Sequence, residues 1–194
     1  IVPVPDSGIP SSIGYAEKIK KNVELGIIRN HYVGRTFIEP TQHIRSLGVK
    51  LKHSINKTLI KNKSLVLIDD SLVRGTTSVK IVKMLYEFGA KEVHLRIASP
   101  PIKYPDYYGV DTPTEEELLA SKLDLEGMRK FINATTLQFL SIEGLYKSMG
   151  IEKRNSSYPQ FTDHCFTGEY PVEPVDANDK NFKDDQLSFL SSKF

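Results

Sequence analysis

The chain has 194 residues, 39% of them apolar and 26% charged, proportions ordinary for a globular domain with a sizeable core. Its 26 Lys and Arg against 24 Asp and Glu leave a formal charge of +2, which gives no general case for nucleic-acid or membrane binding. No apolar run approaches the roughly 18 residues that span a bilayer, no signal-peptide pattern is present, and the single cysteine, Cys165, excludes an intramolecular disulfide and suits a reducing cytoplasm.

Strand and helix signals alternate along the chain, without repeats or low-complexity tracts. Val2 to Pro5 reads as the end of a strand. Asp6-Ser7-Gly8 is a turn sequence whose backbone N–H groups could form an anion-binding nest, although an ordinary turn before a helix fits equally well. Ser11 to Lys20 is predicted to be a helix with Ile13, Ala16 and Ile19 inward, and Val23 to Ile28 a short strand. Arg29 to Lys52 is rich in Arg, Lys and His and carries Tyr32, Gly34, Phe37 and Pro40; alone it reads as a solvated basic loop with a short helix from Gln42 to Leu47.

Residues 65 to 78, Leu-Val-Leu-Ile-Asp-Asp-Ser-Leu-Val-Arg-Gly-Thr-Thr-Ser, say most about chemistry. Leu65 to Ile68 form the continuous apolar run of a parallel strand covered on both faces. At its carboxyl end, where open α/β sheets place ligands, Asp69 and Asp70 offer adjacent carboxylates to a ribose diol. Gly75 permits close backbone approach, Thr76, Thr77 and Ser78 supply hydroxyls, and the orphan N–H groups of a helix start favour a phosphate. Ile81, Val82, Leu85 and Phe88 recur at helical spacing beyond them. Each piece alone has a structural explanation as a cap or turn. Together they describe a site for a ribose 5-phosphate.

Downstream, Val93, Leu95 and Ile97 alternate as in a strand over Glu92 to Ala98, and helices are predicted at Thr114 to Ala120, Asp124 to Lys130 and Ile142 to Met149. After Gly150 the composition turns polar, with Pro159, Pro171 and Pro174. Residues 176–194, acidic and Asn-rich, read as a disordered tail or docking segment. The chain thus divides into residues 1–150, an extension at 151–175 and a tail at 176–194.

Residues 65 to 78 resemble the phosphoribosyl-diphosphate (PRPP) motif of the type I phosphoribosyltransferases. Val2-Pro3-Val4-Pro5-Asp6-Ser7-Gly8, Tyr32-Val33-Gly34-Arg35-Thr36-Phe37, Ser99-Pro100-Pro101 and Tyr108-Gly109-Val110-Asp111-Thr112 narrow the likeness to the phosphoribosyltransferase half of the amidophosphoribosyltransferases. It runs from residue 1 to about Gly150 and resumes weakly at Cys165-Phe166-Thr167-Gly168. The resemblance implies a type I phosphoribosyltransferase-like α/β fold: a parallel sheet flanked by helices, lacking its first strands, followed by a helical and irregular extension. It implies that a glutaminase domain precedes Ile1, so that this chain carries the PRPP half only.

The activity implied is phosphoribosyl transfer to ammonia derived from glutamine, the first step of purine synthesis. PRPP would be held by Asp6, Ser7, Gly8, Arg29, Tyr32, Thr36, Arg74, Gly75, Thr76, Thr77 and Ser78. Asp69, Asp70 and Arg35 would be catalytic, with Arg35 on a flexible loop that closes over PRPP. Mg²⁺ would be held by Ser7, Asp69 and Asp70. Purine nucleotides are expected as feedback inhibitors and a homo-oligomer as the assembly, with neither nucleic acid nor membrane as a partner. Some bacterial members hold an iron–sulfur cluster with four cysteines; here the matching positions are Asp106, Thr162 and Cys165, so no cluster is expected. Two other readings stay open: a nucleobase or orotate phosphoribosyltransferase, and a non-catalytic PRPP-sensing regulator that binds nucleic acid.

Overall fold

The computed structural model describes residues 1–30, 53–110 and 112–172. Its centre is a four-stranded parallel sheet in the order β1-β4-β5-β6, formed by β1 (Val2–Pro3), β4 (Ser64–Asp69), β5 (Glu92–Ile97) and β6 (Thr136–Phe139). The register sets Val2 beside Leu67, Leu67 beside Leu95, and Leu95 beside Leu137. These side chains are at most 3% exposed. The second sheet pairs β2 (Ile27–Arg29) antiparallel with β3 (His53–Ile55), so that Arg29 lies across from His53.

Helices connect the parallel strands, as parallel pairing requires. Helix α1 (Ile9–Ile19) follows β1, a single turn α2 (Lys57–Ile60) precedes β4, and α3 (Thr76–Glu87) joins β4 to β5. Between β5 and β6 come a 3₁₀ turn at Glu115–Glu117, α4 (Leu119–Lys122) and α5 (Leu125–Ile132). Helix α3 buries Ile81, Val82, Met84 and Leu85, and α5 buries Met128 and Ile132. Asp124 caps α5 by accepting from the Gly127 N–H at 2.7 Å, and Asn133 ends it in a left-handed conformation.

The helix from Ile9 to Ile19 buries Ala16 as its sequence suggests, but not the two isoleucines expected beside it. Ile13 and Ile19 are 48% and 42% exposed, whereas Ser12 and Ala16 are buried. Gly8, Ser12 and Ala16 recur every four residues, which puts them on one face. A Cβ on Gly8 would collide with the carbonyl oxygen of Ile68, so the helix start is pressed against the β4 backbone. Small residues, not large apolar ones, let it lie there.

Other boundaries also differ. The expected strand at 23–28 is confined to Ile27–Arg29, and the expected helix at 114–120 divides into the 3₁₀ turn and α4. Phe88 ends α3 at 36% exposure instead of joining the core. Strands β3 and β6 and helices α2 and α7 (His164–Thr167) carry too few residues to show a period. The helix expected over Gln42 to Leu47, Asp111 and the tail at 176–194 lie outside the described residues.

After α6 (Ile142–Ser148) the chain returns to the domain through a buried polar knot. Arg154 pairs with Asp163 and, at 2.6 Å, with Glu169, while the Tyr146 hydroxyl donates to Asp163 at 2.8 Å. Burial opposes the charge on Asp163, but the hydrogen bonds from Arg154 and Tyr146 outweigh it and hold the carboxyl below its ordinary value. The N–H groups of Lys103 and Tyr104 donate to the Cys165 carbonyl at 2.9 and 3.1 Å, and the Tyr170 hydroxyl donates to Pro105 O at 2.9 Å.

Candidate functional site

The carboxyl ends of β1 and β4 are neighbours in the sheet, so the turn after each faces the same cavity of about 690 Å³. From the first turn come Asp6 and Ser7; from the second come Asp69, Asp70 and the run from Arg74 to Ser78. Arg29 and His53, facing each other across β2 and β3, complete the wall. This is the position expected of a ligand in an open parallel sheet.

Local chemistry fixes each turn. Val4 N–H donates to Ile68 O at 2.8 Å, extending the β1–β4 ladder, and Gly8 N–H closes the turn onto Val4 O at 2.9 Å. The Pro5–Asp6 peptide is cis. Asp6 is paired with the Arg29 guanidinium at 2.7 Å, tying the turn to β2. On the other side, Ala98 N–H donates to Asp69 O, and Leu119 N–H to Val73 O, both at 2.9 Å, so the loop from Asp70 to Gly75 is pinned at both ends. Gly75 occupies the left-handed region at φ 75°, and a Cβ there would lie 2.7 Å from Leu119 Cδ2.

Asp69 is 7% exposed, with Asp70 beside it. Burial, then the negative charge of Asp70, push its carboxyl up to about 7, although the Asp70 N–H donates to its Oδ1 at 3.0 Å. Asp70 is exposed to the cavity and accepts from the Ser71 hydroxyl at 3.0 Å. Two carboxylates with different environments are thereby held side by side. Opposite them α3 opens with the N–H groups of Thr76, Thr77 and Ser78, which precede the first intrahelical donor, Val79 N–H, bonded to Gly75 O at 2.9 Å. Such a terminus favours an anion.

Of the residues singled out in the sequence, Asp6, Ser7, Arg29, Asp69, Asp70, Arg74, Gly75, Thr76, Thr77 and Ser78 line this cavity together. Gly8 is placed behind it, against the β4 backbone. The Arg74 guanidinium is directed to Glu117, with contacts of 2.6 and 3.2 Å, which leaves the backbone and hydroxyls of residues 75–78 as the nearby anion donors. Arg29 belongs to β2 and not to the basic loop. Tyr32, Arg35 and Thr36 lie outside the described residues. Sequence reasoning missed His53, 7% exposed and on the cavity wall; only the pairing of Arg29 with His53 brings it there, and a three-residue strand leaves no periodic signal.

No family model matches the chain. It is 58% identical over 193 residues to an amidophosphoribosyltransferase of Rhizobium etli, an alignment covering 99% of this chain and 39% of the relative. An amidophosphoribosyltransferase of Bacillus subtilis is 52% identical over 170 residues, covering 88% of this chain and 36% of the relative. The fold is similar to the solved glutamine PRPP amidotransferase of B. subtilis complexed with ADP and GMP: TM-score 0.77, 52% identity, covering 89% of this chain and 38% of that one. The chain therefore spans about two-fifths of the length of these relatives.

Proposed function

We propose, from the membership of this chain in the amidophosphoribosyltransferase family, that its cavity binds PRPP and is where ammonia takes up the phosphoribosyl group. The observation that carries this reading is one cavity with Asp69 and Asp70 at the end of β4 and the open start of α3 facing them. A ribose 5-phosphate has a diol at one end and a dianion at the other, and the cavity has acceptors for the first and N–H and hydroxyl donors for the second.

The reaction is displacement of pyrophosphate from the anomeric carbon by ammonia, through a transition state with oxocarbenium-like character, giving 5-phosphoribosylamine. Asp70 and Asp69 hold the ribose hydroxyls and lend negative charge to the cationic sugar. The N–H groups of residues 76–78 and the Thr76, Thr77 and Ser78 hydroxyls hold the 5-phosphate. Asp6 and Ser7 stand where the pyrophosphate leaves, with Arg29 next to them. The family likeness assigns Arg35, Tyr32 and Thr36, which lie outside the described residues, to contacts with the same end of PRPP. The ammonia comes from glutamine hydrolysed elsewhere in the whole protein, which acts in the cytoplasm as a homo-oligomer at the first step of purine synthesis. The relative solved with ADP and GMP supports purine nucleotides as feedback inhibitors of this chain.

The donor set fits Mg²⁺. Ser7, Asp69 and Asp70 offer only hard oxygens, and Asp69, raised to about 7 by burial and by Asp70, has no neutralising cation close by among the described residues. When bound there, Mg²⁺ would neutralise charge on the departing pyrophosphate.

Relatives at 42% to 58% identity that carry this family name favour the reading over a nucleobase transferase or a PRPP-sensing regulator. The test uses the full-length protein, with phosphoribosylamine formation from PRPP measured with ammonia and with glutamine. Asp70→Asn, folded normally, is expected to lose most turnover with both nitrogen sources. Undiminished turnover would overturn the assignment.

A further inference from the structure

A second cluster of chemically capable groups lies away from the PRPP cavity, where residues 103–110 meet α7. The loop holds Asp106 by two backbone donors to one carboxylate oxygen: Tyr108 N–H at 2.8 Å and Val110 N–H at 2.9 Å, both to Oδ1. The other oxygen, Oδ2, faces His164 Nε2 at 2.7 Å and Cys165 Sγ at 3.9 Å. One ligand atom from each of the three residues lies within 4.8 Å of the others.

The surroundings are those of a built site. The side chains of Asp106 and His164 are 6% and 5% exposed, and Cys165 is half-buried. Tyr108 meets the His164 ring edge-on at a centroid distance of 5.0 Å, and Tyr170 lies against it at 5.1 Å. His164 Nδ1 is buried with no hydrogen-bond partner among the described residues, so the polar contact of the imidazole is made on the Asp106 side. A nitrogen, a hard oxygen and a sulfur converging under an aromatic cover form a donor set of mixed softness, the kind that selects zinc over magnesium.

We propose that Asp106, His164 and Cys165 bind one divalent transition-metal ion of the zinc class, with water as the fourth ligand. Metal–ligand bonds of about 2.0 to 2.3 Å put tetrahedral ligand atoms about 3.3 to 3.8 Å apart. The hydrogen bond at 2.7 Å must open and the sulfur approach by a few tenths of an ångström, shifts that side-chain rotation supplies. Binding releases the thiol proton, and the neutral imidazole ligates through Nε2 with its ring proton carried on Nδ1. The ion joins residues already bridged by the hydrogen bonds of Lys103 and Tyr104 to the Cys165 carbonyl, and so fastens residues 151–172 to the sheet domain.

The test uses the full-length protein, exposed to equimolar Zn²⁺ or Co²⁺ and then separated from free ion. The expected result is about one ion retained per chain and, with Co²⁺, a thiolate-to-cobalt charge-transfer band. Cys165→Ser should abolish the band, and Asp106→Asn should weaken Zn²⁺ binding at least about tenfold. Asp70→Asn should leave the band in place, since an all-oxygen site cannot produce it. A normally folded, unsubstituted protein that retains no ion and shows no band overturns the proposal, whatever the variants do. A band that survives Cys165→Ser overturns it equally.

Discussion

Replacing Asp69 by Asn should make the ligand-free protein more stable as it destroys its function. In the unfolded chain this carboxyl titrates near 3.8, and in the folded protein near 7. Between those values the native state holds a proton that the unfolded state has lost, so unfolding free energy falls as pH rises through the window. The interval corresponds to at most about 4 kcal/mol, fully present above pH 7. Asn keeps an oxygen to accept the Asp70 N–H but has no charge to desolvate. Of that figure, about 2 to 3 kcal/mol accumulates between pH 5 and pH 8, so the stability advantage of Asp69→Asn should widen by that amount. Urea unfolding of both proteins at the two pH values, without Mg²⁺ or PRPP, measures it, and PRPP turnover should fall sharply in the same variant. Parallel pH profiles for the two proteins would show that Asp69 is not held against its charge, and the reasoning would fail.

Further outcomes follow from three other positions. Gly75→Ala puts a Cβ into the left-handed region and against Leu119, and should destabilise by about 1 to 3 kcal/mol with a raised KM for PRPP; an unchanged melting temperature would contradict the strain. Asp163→Ala strips the carboxylate from a nearly buried Arg154 and from the hydroxyl of Tyr146, a loss of about 3 to 5 kcal/mol readable by denaturant unfolding. Acid acts on the same group: its depressed pKa stabilises the fold above the ordinary carboxylate range, and that contribution disappears as pH falls through the folded value, so the Asp163→Ala variant should show a smaller acid loss. Leu95→Ala, at the centre of the sheet with no exposure, should cost about 2 to 5 kcal/mol by thermal unfolding while leaving the PRPP KM unchanged.

The candidate-site residues at 65–78 were the easiest to read, because they are contiguous and carry both strand and helix signals. The apolar run of β4, the acids that end it and the Gly-Thr-Thr-Ser helix start are all local, and they fall where the pattern placed them. What resisted reading depended on partners distant in sequence. Strand β6 shows Thr136, Leu137, Gln138 and Phe139, of which Leu137 alone is buried, and four residues cannot establish an alternation. Helix α1 showed Ala16 as inward but hid the rest of that face, because Ser12 looks indifferent to burial until the closeness of β4 is known. His53 is a wall residue only through its pairing with Arg29, and the separation of Arg74 from the anion donors comes from Glu117, 43 residues away.

The adjacency of β1 and β4 has a consequence for how this site can diverge. Neighbouring strands in a sheet stand about 4.8 Å apart, and here the turn at Asp6 and the pair at Asp69 and Asp70 issue from two such neighbours. Their separation is therefore a property of backbone hydrogen bonding, indifferent to which side chains fill the core. Mutation can recolour the charges at either rim, but it cannot stretch the gauge between them. A relative of this chain that accepted a longer or shorter ligand would have to change the side chains that line the cavity, because the two anchoring turns come with a fixed pitch.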